Sequence, residues 1–536
     1  MERQAISPLI RKILAGRGLK TEEEMHEFLH AGISSLSEPF TIPRMGEACE
    51  TLKKAILNRE KIFVYGDGDT DGICAVFLIL KYLEAVSAEF SLRLTHRLDE
   101  DYEIEEDLIA DLKQEGYSVL VSVDCGISSF AALKKAEKED IRCIVLDHHM
   151  CNSLRLPESH VYVDPCLADD WPEGTRNLSG AGIVFKFIEG MALILPGISE
   201  KYFYNFMETV CLSVLADFLP LTGENRILVR EGLRRLPFTG IKGLAHLIEK
   251  QNLRPPFTTR DVSMKINPRL NSPGRMGKPE IALDLLTEDD EDRIRELGDE
   301  IEKTDRLRYR TVAREMENLQ HHRKDTGFII SESISPGICG VIASRLSGKY
   351  NKPYLVGAAT QDSLKGSIRA PRGYNLYEKL KPLGEYMLSM GGHPCAMGFK
   401  CSVKHLEKIR RFWEEIDWDA EESGEYYDCE LGVEELTPEL IKEIDETLEP
   451  YGKGNPAPVF LCRGVAVKNI ARSRNEERSF WITGKNDRMF ESFLADDSSA
   501  VPENGERIDI FYTPRARENS GLYRLYLKIL RYLRSS

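Results

Sequence analysis

The sequence predicts an α/β protein: a large domain on a parallel β-sheet, a long connecting helix, a smaller α/β domain and a C-terminal β-barrel. Three observations carry that prediction. From Lys61, short β-rich runs alternate with helical ones: KIFVY (61–65), GICAVFLILKYLEAV, YSVLVSV (117–123), SSFAALKKAEKE and IRCIVL (141–146). Strands apolar on both faces with helices between them are the mark of a parallel sheet. A second pattern of this kind begins at GFIIS (327–331) and continues through KPYLVGAAT and SLKGSIRA. After Tyr451, the short β runs KNIARS, RSFWITG, RIDIFYTP and YRLYLKIL fit a small barrel better than a helical domain.

Taken in order, residues 1–60 read as helical pieces capping the first sheet, and TLKKAILNREK (51–61) leads directly into its first strand. Residues 178–250 are helical by periodicity. Pro255-Pro256 ends that run, and INPRLNSPGRMGK (266–278), rich in Gly, Pro and Asn, reads as a loop with two arginines. Residues 288–324 keep apolar positions at helical spacing among many charges, as one long exposed helix would. The acidic stretch 413–449 reads as a solvated helical connector. The division is therefore 1–287 (N-terminal helices and the parallel-sheet domain), 288–326 (connecting helix), 327–449 (second α/β domain with its connector) and 450–536 (barrel).

A chain of 536 residues suggests three or four compact units at roughly 150 residues each. Its 42% hydrophobic and 30% charged residues are ordinary globular usage, which excludes collagen-like and disordered classes. No apolar run approaches the roughly 20 residues that span a bilayer, and the opening segment lacks the apolar block of a signal peptide, so a soluble cytoplasmic chain with no membrane partner is expected. Twelve cysteines occur without a single C-x-x-C, so reduced thiols are expected rather than a zinc ribbon or redox pair. The net charge of −15 argues against a protein that coats nucleic acid through a basic surface. Residues 451–536 nevertheless hold 15 Lys/Arg against 10 Asp/Glu, leaving room for a local basic groove.

The chemistry gathers where strands end. The first strand runs into Gly66-Asp67-Gly68-Asp69-Thr70-Asp71-Gly72, the second into Asp124-Cys125-Gly126 and the third into Asp147-His148-His149. In a parallel sheet all strand C-termini lie on one edge, so these acids and histidines converge. A single Asp after a strand is ordinarily a helix N-cap. Three successive strands ending this way exceed what capping requires, and packed carboxylates repel unless cations neutralise them. Oxygen and imidazole donors without thiolate suit Mn²⁺ or Mg²⁺ rather than structural zinc. Two such ions about 3.5–4 Å apart activate a water and stabilise both oxygens of a phosphoryl displacement. Asp67-x-Asp69-x-Asp71 also matches the start of an EF-hand loop, but the apolar helix beginning at Ile73 leaves no room for the remaining ligands.

These segments resemble the DHH phosphoesterases and, within them, the RecJ-type single-strand-specific exonucleases. VYGDGDTDG, VSVDCG, VLDHH and SVLADFLPLTGENR (213–226) are similar to the family's first four motifs. INPRLNSPGRMG resembles its arginine-bearing loop, GGHPCAMGF (391–399) the Gly-Gly-His signature of the DHHA1 domain, and YGKGNPAPVF (451–460) the opening of the OB-fold domain. The likeness runs from about residue 8 to the end. It implies that Asp67 and Asp69 bind one of two Mn²⁺ or Mg²⁺ ions each, that Asp124 bridges the pair, and that His148 and Asp217 complete the second site. It also implies that His149 faces the scissile phosphate, with Asp147 and Asp71 orienting the ligands. Arg97, Arg275, Ser367, Arg369, Gly391, Gly392 and His393 fall at its substrate-binding positions. Without the resemblance, Asp217 reads as an acid at a helix end, each arginine as a solvated residue, and His393 as open between a turn residue and a phosphate contact.

The resemblance implies a metal-dependent exonuclease that degrades single-stranded DNA from the five-prime end in DNA repair and recombination. Such an enzyme would act as a monomer, with a helicase and a single-strand-binding protein as partners. Two alternatives stand beside it: a DHH phosphodiesterase of short oligoribonucleotides or cyclic dinucleotides, and a non-catalytic replication scaffold. The first usually lacks an OB-like domain and the second loses metal ligands, whereas Asp67, Asp69, Asp124, His148 and Asp217 are all present here. The chain departs from the family pattern at Gly68, at Asp101-Tyr102-Glu103-Ile104 and at Asp164-Pro165, adding acid near the expected DNA path; Asp164 is not expected to add a ligand.

Overall fold

The computed structural model describes residues 5–96, 104–151, 155–195, 197–319, 326–371, 373–393, 395–418, 427–472, 478–495, 501–519 and 522–534. Arg97 and the substituted residues 101–103 lie outside these. The chain forms two compact units, Gly32–Glu421 and a second one made of Met1–Ala31 with Glu422–Ser536.

In the first unit, β1 (Lys61–Gly66), β2 (Phe90–Leu94), β3 (Tyr117–Val123), β4 (Arg142–Leu146) and β5 (Val161–Val163) form a parallel sheet of order β2-β1-β3-β4-β5. Both faces are covered, which is why the strands read as unbroken apolar runs. Ile62, Val64, Val121 and Ile144 pack into one core, while Phe63, Tyr65, Leu120 and Val145 pack into another on the opposite face. The register places Gly66 opposite Val123, Val123 opposite Leu146, and Leu146 opposite Val163. The next residue along each of these four adjacent strands is an aspartate: Asp67, Asp124, Asp147 and Asp164.

The stretch expected to be a loop at 266–278 is instead a π-turn, Val262–Ile266, running into a helix, Asn267–Arg275. Packing overrides its composition: Leu270 is buried and the Asn267 amide donates to the Leu212 carbonyl. Pro273 removes one helical N–H, and the Ser272 hydroxyl donates to the Arg269 carbonyl that it leaves over. The expected long helix is present at Glu291–Asn318, capped by Asp290, whose carboxylate accepts from the N–H groups of Asp292 and Arg293. It leads into a mixed sheet of β6 (Phe328–Ser331), β7 (Tyr354–Ala359), β8 (Ser363–Arg369), β9 (Met387–His393) and β10 (Ala396–Ser402), in the order β6-β7-β8-β10-β9.

The second unit contains β11 (Cys429–Glu430), β12 (Phe460–Arg472), β13 (Arg478–Thr483), β14 (Met489–Leu494), β15 (Arg507–Asn519) and β16 (Leu522–Arg534). Pairing of β12 with both β13 and β15 closes the last five strands into a barrel. Two expectations are corrected here. The first helices do not all cap the parallel sheet: Ile10, Ile13, Leu14, Met25 and Leu29 share a core with the barrel residues Phe460, Phe480 and Ile510. Arg17 fastens this arrangement through Asp428 at 2.7 Å. Nor is 413–449 only a solvated connector, because Val433, Ile441, Ile444 and Leu448 are buried in that same core.

Candidate metal centre

The first strand enters the site at Asp67, whose carboxylate accepts from the Gly68 N–H at 2.7 Å and the Thr95 hydroxyl at 2.6 Å. Thr95 follows β2, so the neighbouring strand end fixes this carboxylate. Asp69 does cap the Thr70–Ala85 helix, accepting from the N–H groups of Asp71 and Gly72. Capping and clustering coexist: Asp67, Asp69 and Asp124 bring ligand atoms within 4.8 Å of one another. Asp71 is held by three donors. It accepts from the N–H groups of Gly180 and Ala181, at the start of the Gly180–Ile194 helix, and from the Ser213 hydroxyl.

Asp124 sits at φ 58°, a left-handed conformation that costs a residue with a Cβ and that clusters at functional sites. Its N–H donates to Leu146 and its carboxylate lies against Gly180, where an added Cβ would come within 2.5 Å of Oδ1. The His148 Nε2 lies 3.2 Å from Asp124, 3.5 Å from Asp217 and 3.7 Å from Asp71. Asp217 caps the C-terminus of the Met207–Ala216 helix and joins the cluster there. Two further sets meet the same closeness, Asp71–His148–Asp217 and Asp124–His148–His149.

Asp147 is a pivot rather than a free ligand. One of its oxygens accepts from the His148 and His149 N–H groups and lies 2.7 Å from the His149 Nδ1; the other accepts from the Ile127 N–H. This leaves the His149 Nε2 directed away from Asp147, on a side chain 41% exposed. Burial opposes charge on both partners, but their mutual attraction outweighs it, holding Asp147 down at about 2 and His149 up at about 10.

The electrostatics of the remaining acids run the other way. Burial, then repulsion from Asp71 and Asp69, pushes Asp124 well above the ordinary carboxylate range and lifts Asp217 to about 7. Burial likewise raises Asp71. Asp124 Oδ1 is buried yet accepts no hydrogen bond. Buried carboxylates left under-satisfied and mutually repelling are what divalent cations relieve, so the donor set fits two hard ions held by oxygen and imidazole. Asp164, lifted to about 9 by burial and then by Asp147, belongs to none of the three sets.

A cavity of about 480 Å³ opens over this edge, lined by Asp67, Asp124, Asp147 and His149 on one side and by Ser367, Arg369, Gly391 and Gly392 on the other. Arg275 also lines it, positioned by the close approach of Gly274 to the Gly68 carbonyl and by donation to the Gly337 carbonyl. Arg369 donates to the carbonyls of Ile368 and Met397. His393 belongs to β9, but its side chain, like Arg97, lies outside the described residues. Reading the sequence alone missed Thr95, Ser213 and Gly180, which position ligands without themselves being acids or histidines; only their places beside strand ends and helix starts signal them.

Three family models match along the chain: the DHH family N-terminal domain over residues 61–216, the DHHA1 domain over 325–418 and the RecJ OB domain over 427–530. The chain carries a DHH domain, a DHHA1 domain and a RecJ OB domain, in that order. It is 29% identical over 488 residues to the single-stranded-DNA-specific exonuclease RecJ of Bacillus subtilis, a match spanning 88% of this chain and 60% of that protein. The RecJ of Thermus thermophilus is 28% identical, over 82% of this chain and 64% of its own length. The crystal structure of Thermus thermophilus RecJ with Mn²⁺ superposes with a TM-score of 0.80 at 23% identity, covering 99% of this chain and 79% of that one. That likeness establishes the α/β fold with its closed barrel. A manganese-bound exonuclease RecJ structure, 26% identical over 70% of this chain and 94% of that one, has a TM-score of 0.58.

Proposed function

We propose that this chain is a metal-dependent exonuclease that hydrolyses single-stranded DNA from its five-prime end. The observation that carries the reading is the facing of two opposite sets of groups across one cavity: clustered carboxylates and imidazoles at the sheet edge, and Ser367, Arg369 and Arg275 opposite them. Asp67 and Asp69 would hold one ion each, with Asp124 shared between the two and His148 and Asp217 completing the second. When bound, such a pair of Mn²⁺ or Mg²⁺ ions supplies an activated water and charge stabilisation for in-line displacement at phosphorus.

The chain's own residues do the rest. Asp147 fixes the His149 ring so that Nε2 presents a proton to the cavity, where a phosphate oxygen gains negative charge during displacement. Asp71, tied to two helix N–H groups and a hydroxyl, keeps His148 in place without giving up its own oxygens. Arg369 and Ser367 would take the terminal phosphate of the strand, with Arg275 beside them. The barrel supplies a second grip on single strands, and a helicase and a single-strand-binding protein would feed it. Among the described residues no helix is long and apolar enough to cross a membrane.

Digestion of single-stranded DNA and RNA labelled at one end or the other, with Mn²⁺, Mg²⁺ or chelator, tests the reading. Release of mononucleotides from the five-prime end of DNA, abolished by chelator, is expected. No metal-dependent release from any strand would overturn it.

A further inference from the structure

Two thiols face each other beside the sheet edge that carries the metal centre. Nine of the twelve cysteines are buried, whereas Cys166 is exposed and Cys151 and Cys395 are half-buried. The Cys151 and Cys166 sulfurs lie 3.2 Å apart. Neither belongs to any of the three clusters whose ligand atoms could gather around an ion. Cys395 is placed differently, with its thiol donating to the Pro371 and Tyr374 carbonyls.

Strand ends bring this pair together, as they do the acids. Cys151 follows His149 beyond β4, and Cys166 follows Asp164 beyond β5, the strand that pairs with β4. The Cys166 end is held firmly: Pro165 precedes it, and its N–H donates to the Asp164 carboxylate at 2.7 Å. A disulfide needs its sulfurs at about 2.05 Å, so from 3.2 Å they must close by roughly 1.2 Å. That movement draws on the Cys151 end, which continues directly into Met150 and His149, both lining the cavity. The His149 ring is aimed by Asp147. A misplacement of about 1 Å at a reacting centre can cost roughly 100-fold in rate.

We propose that Cys151 and Cys166 are a thiol-modification site, at which a small-molecule disulfide converts the pair into a protein disulfide that draws the His149 segment out of its working position. The effect on cleavage rests on the reading of the chain as a nuclease; the bond itself does not. The chemistry balances as two exchanges. One protein sulfur attacks the small disulfide, forming a mixed disulfide and releasing one small thiol. The second protein sulfur then attacks the mixed disulfide, forming the Cys151–Cys166 bond and releasing the other small thiol. The two protein thiols lose two electrons, the small disulfide gains them, and both protons end on the released thiols. The hydrogen bond to Cys151, then burial, holds the Cys166 thiol protonated, so Cys151 attacks first. Its capture removes that hydrogen bond and lets Cys166 follow.

For the test, the full-length protein is freed of reductant, held in a large excess of oxidised over reduced glutathione, alkylated, digested and mapped without reduction. A peptide pair joined through Cys151 and Cys166 is expected, with Cys395 carrying at most glutathione. Turnover of end-labelled single-stranded DNA with Mn²⁺ should fall at least tenfold as the joined peptide forms and recover in dithiothreitol. Cys151→Ser/Cys166→Ser should cleave equally well in both conditions, and Cys166→Ser should trap glutathione on Cys151. Absence of the joined peptide would overturn the site, as would unchanged turnover in protein shown to be joined. A fall in turnover shared by the double serine variant would trace to another thiol and overturn it too. If the reduced protein cleaves no strand, the nuclease reading fails, while the peptide map still decides whether the two thiols pair.

Discussion

The edge of the parallel sheet and the open face of the smaller sheet gather opposite charges by opposite geometries. At the edge, the chain reaches the site once per strand, and register places Asp67, Asp124, Asp147 and Asp164 in a row. On the face, one strand contributes every second residue, so Lys365, Ser367 and Arg369 come from a single run of β8. The edge is buried and fixed by hydrogen bonds from Thr95, Gly180, Ala181, Ser213 and Ile127. Such a site holds ions in one geometry. The face is half-exposed and carries long flexible cations, which can follow an anionic ligand through more than one position.

The largest effect should come from the edge. Asp124→Asn keeps a side chain that tolerates the left-handed backbone but removes the charge shared between the two ligand sets. Turnover should fall by several orders of magnitude. Because burial already raises Asp124 in the metal-free state, the variant should melt no lower than the unaltered protein in chelator. Adding Mn²⁺ should raise the melting temperature of the unaltered protein and raise that of the variant much less. Equal metal-induced shifts in both would break the assignment of Asp124 to the ions.

Next comes the residue that acts through another. Asp147→Asn should release the His149 ring and lower turnover by about 10–100-fold, the usual penalty for losing a partner behind a functional group. Metal content by elemental analysis should change little. A loss of metal equal to that in Asp124→Asn would make Asp147 a ligand instead of a positioning residue. On the face, Arg275→Ala should cost roughly tenfold. It should also erode any preference for a five-prime phosphate over a hydroxyl on matched labelled strands, whereas a preference kept intact would place the terminal phosphate elsewhere.

The same contrast explains what the sequence made legible. Each edge motif follows an apolar run that announces a strand, so the convergence of Asp67, Asp124 and Asp147 needed only the rule that parallel strands end together. Asp217 follows a helix instead, where an acid looks like any surface residue, and only resemblance singled it out. Lys365 and Lys400 sit at alternating positions of ordinary strands, and nothing short of the pairing register shows that they oppose one another. The helix at 267–275 was hidden because Gly and Pro report local preference, while the buried Leu270 and the Asn267 hydrogen bond that override it are tertiary. The core against which the first helices pack is hidden for a related reason: an amphipathic stripe shows that a helix is buried, not against what.

The smallest effect belongs to the barrel, where the comparison can be made between two adjacent residues. Of the aromatics interleaved with arginines in 451–536, Phe480, Phe511 and Tyr512 are buried, while Trp481 and Tyr526 are only half-buried. The side chains of Arg472, Arg474, Arg478, Arg517 and Tyr523 lie outside the described residues. Trp481 stands opposite Lys468 and Glu491, with the Arg524 guanidinium 5.7 Å from its ring. An outward aromatic ring flanked by Lys468 and by Arg524, the latter paired with Glu491 at 3.1 Å, is suited to stacking a base, worth about 1–3 kcal/mol by alanine substitution. Trp481→Ala should therefore weaken a long single strand by around tenfold and leave cleavage of a dinucleotide and the melting temperature almost unchanged. Phe480→Ala, one residue away but inside the barrel, should cost about 3–5 kcal/mol of stability. If Trp481→Ala instead lowers the melting temperature as Phe480→Ala does, and long-strand affinity per folded molecule is unaltered, the outward ring is packing rather than platform. Truncating the chain at Glu449 would not make this distinction, because it strips the barrel from Ile441, Ile444, Leu448 and the N-terminal helices that share its core.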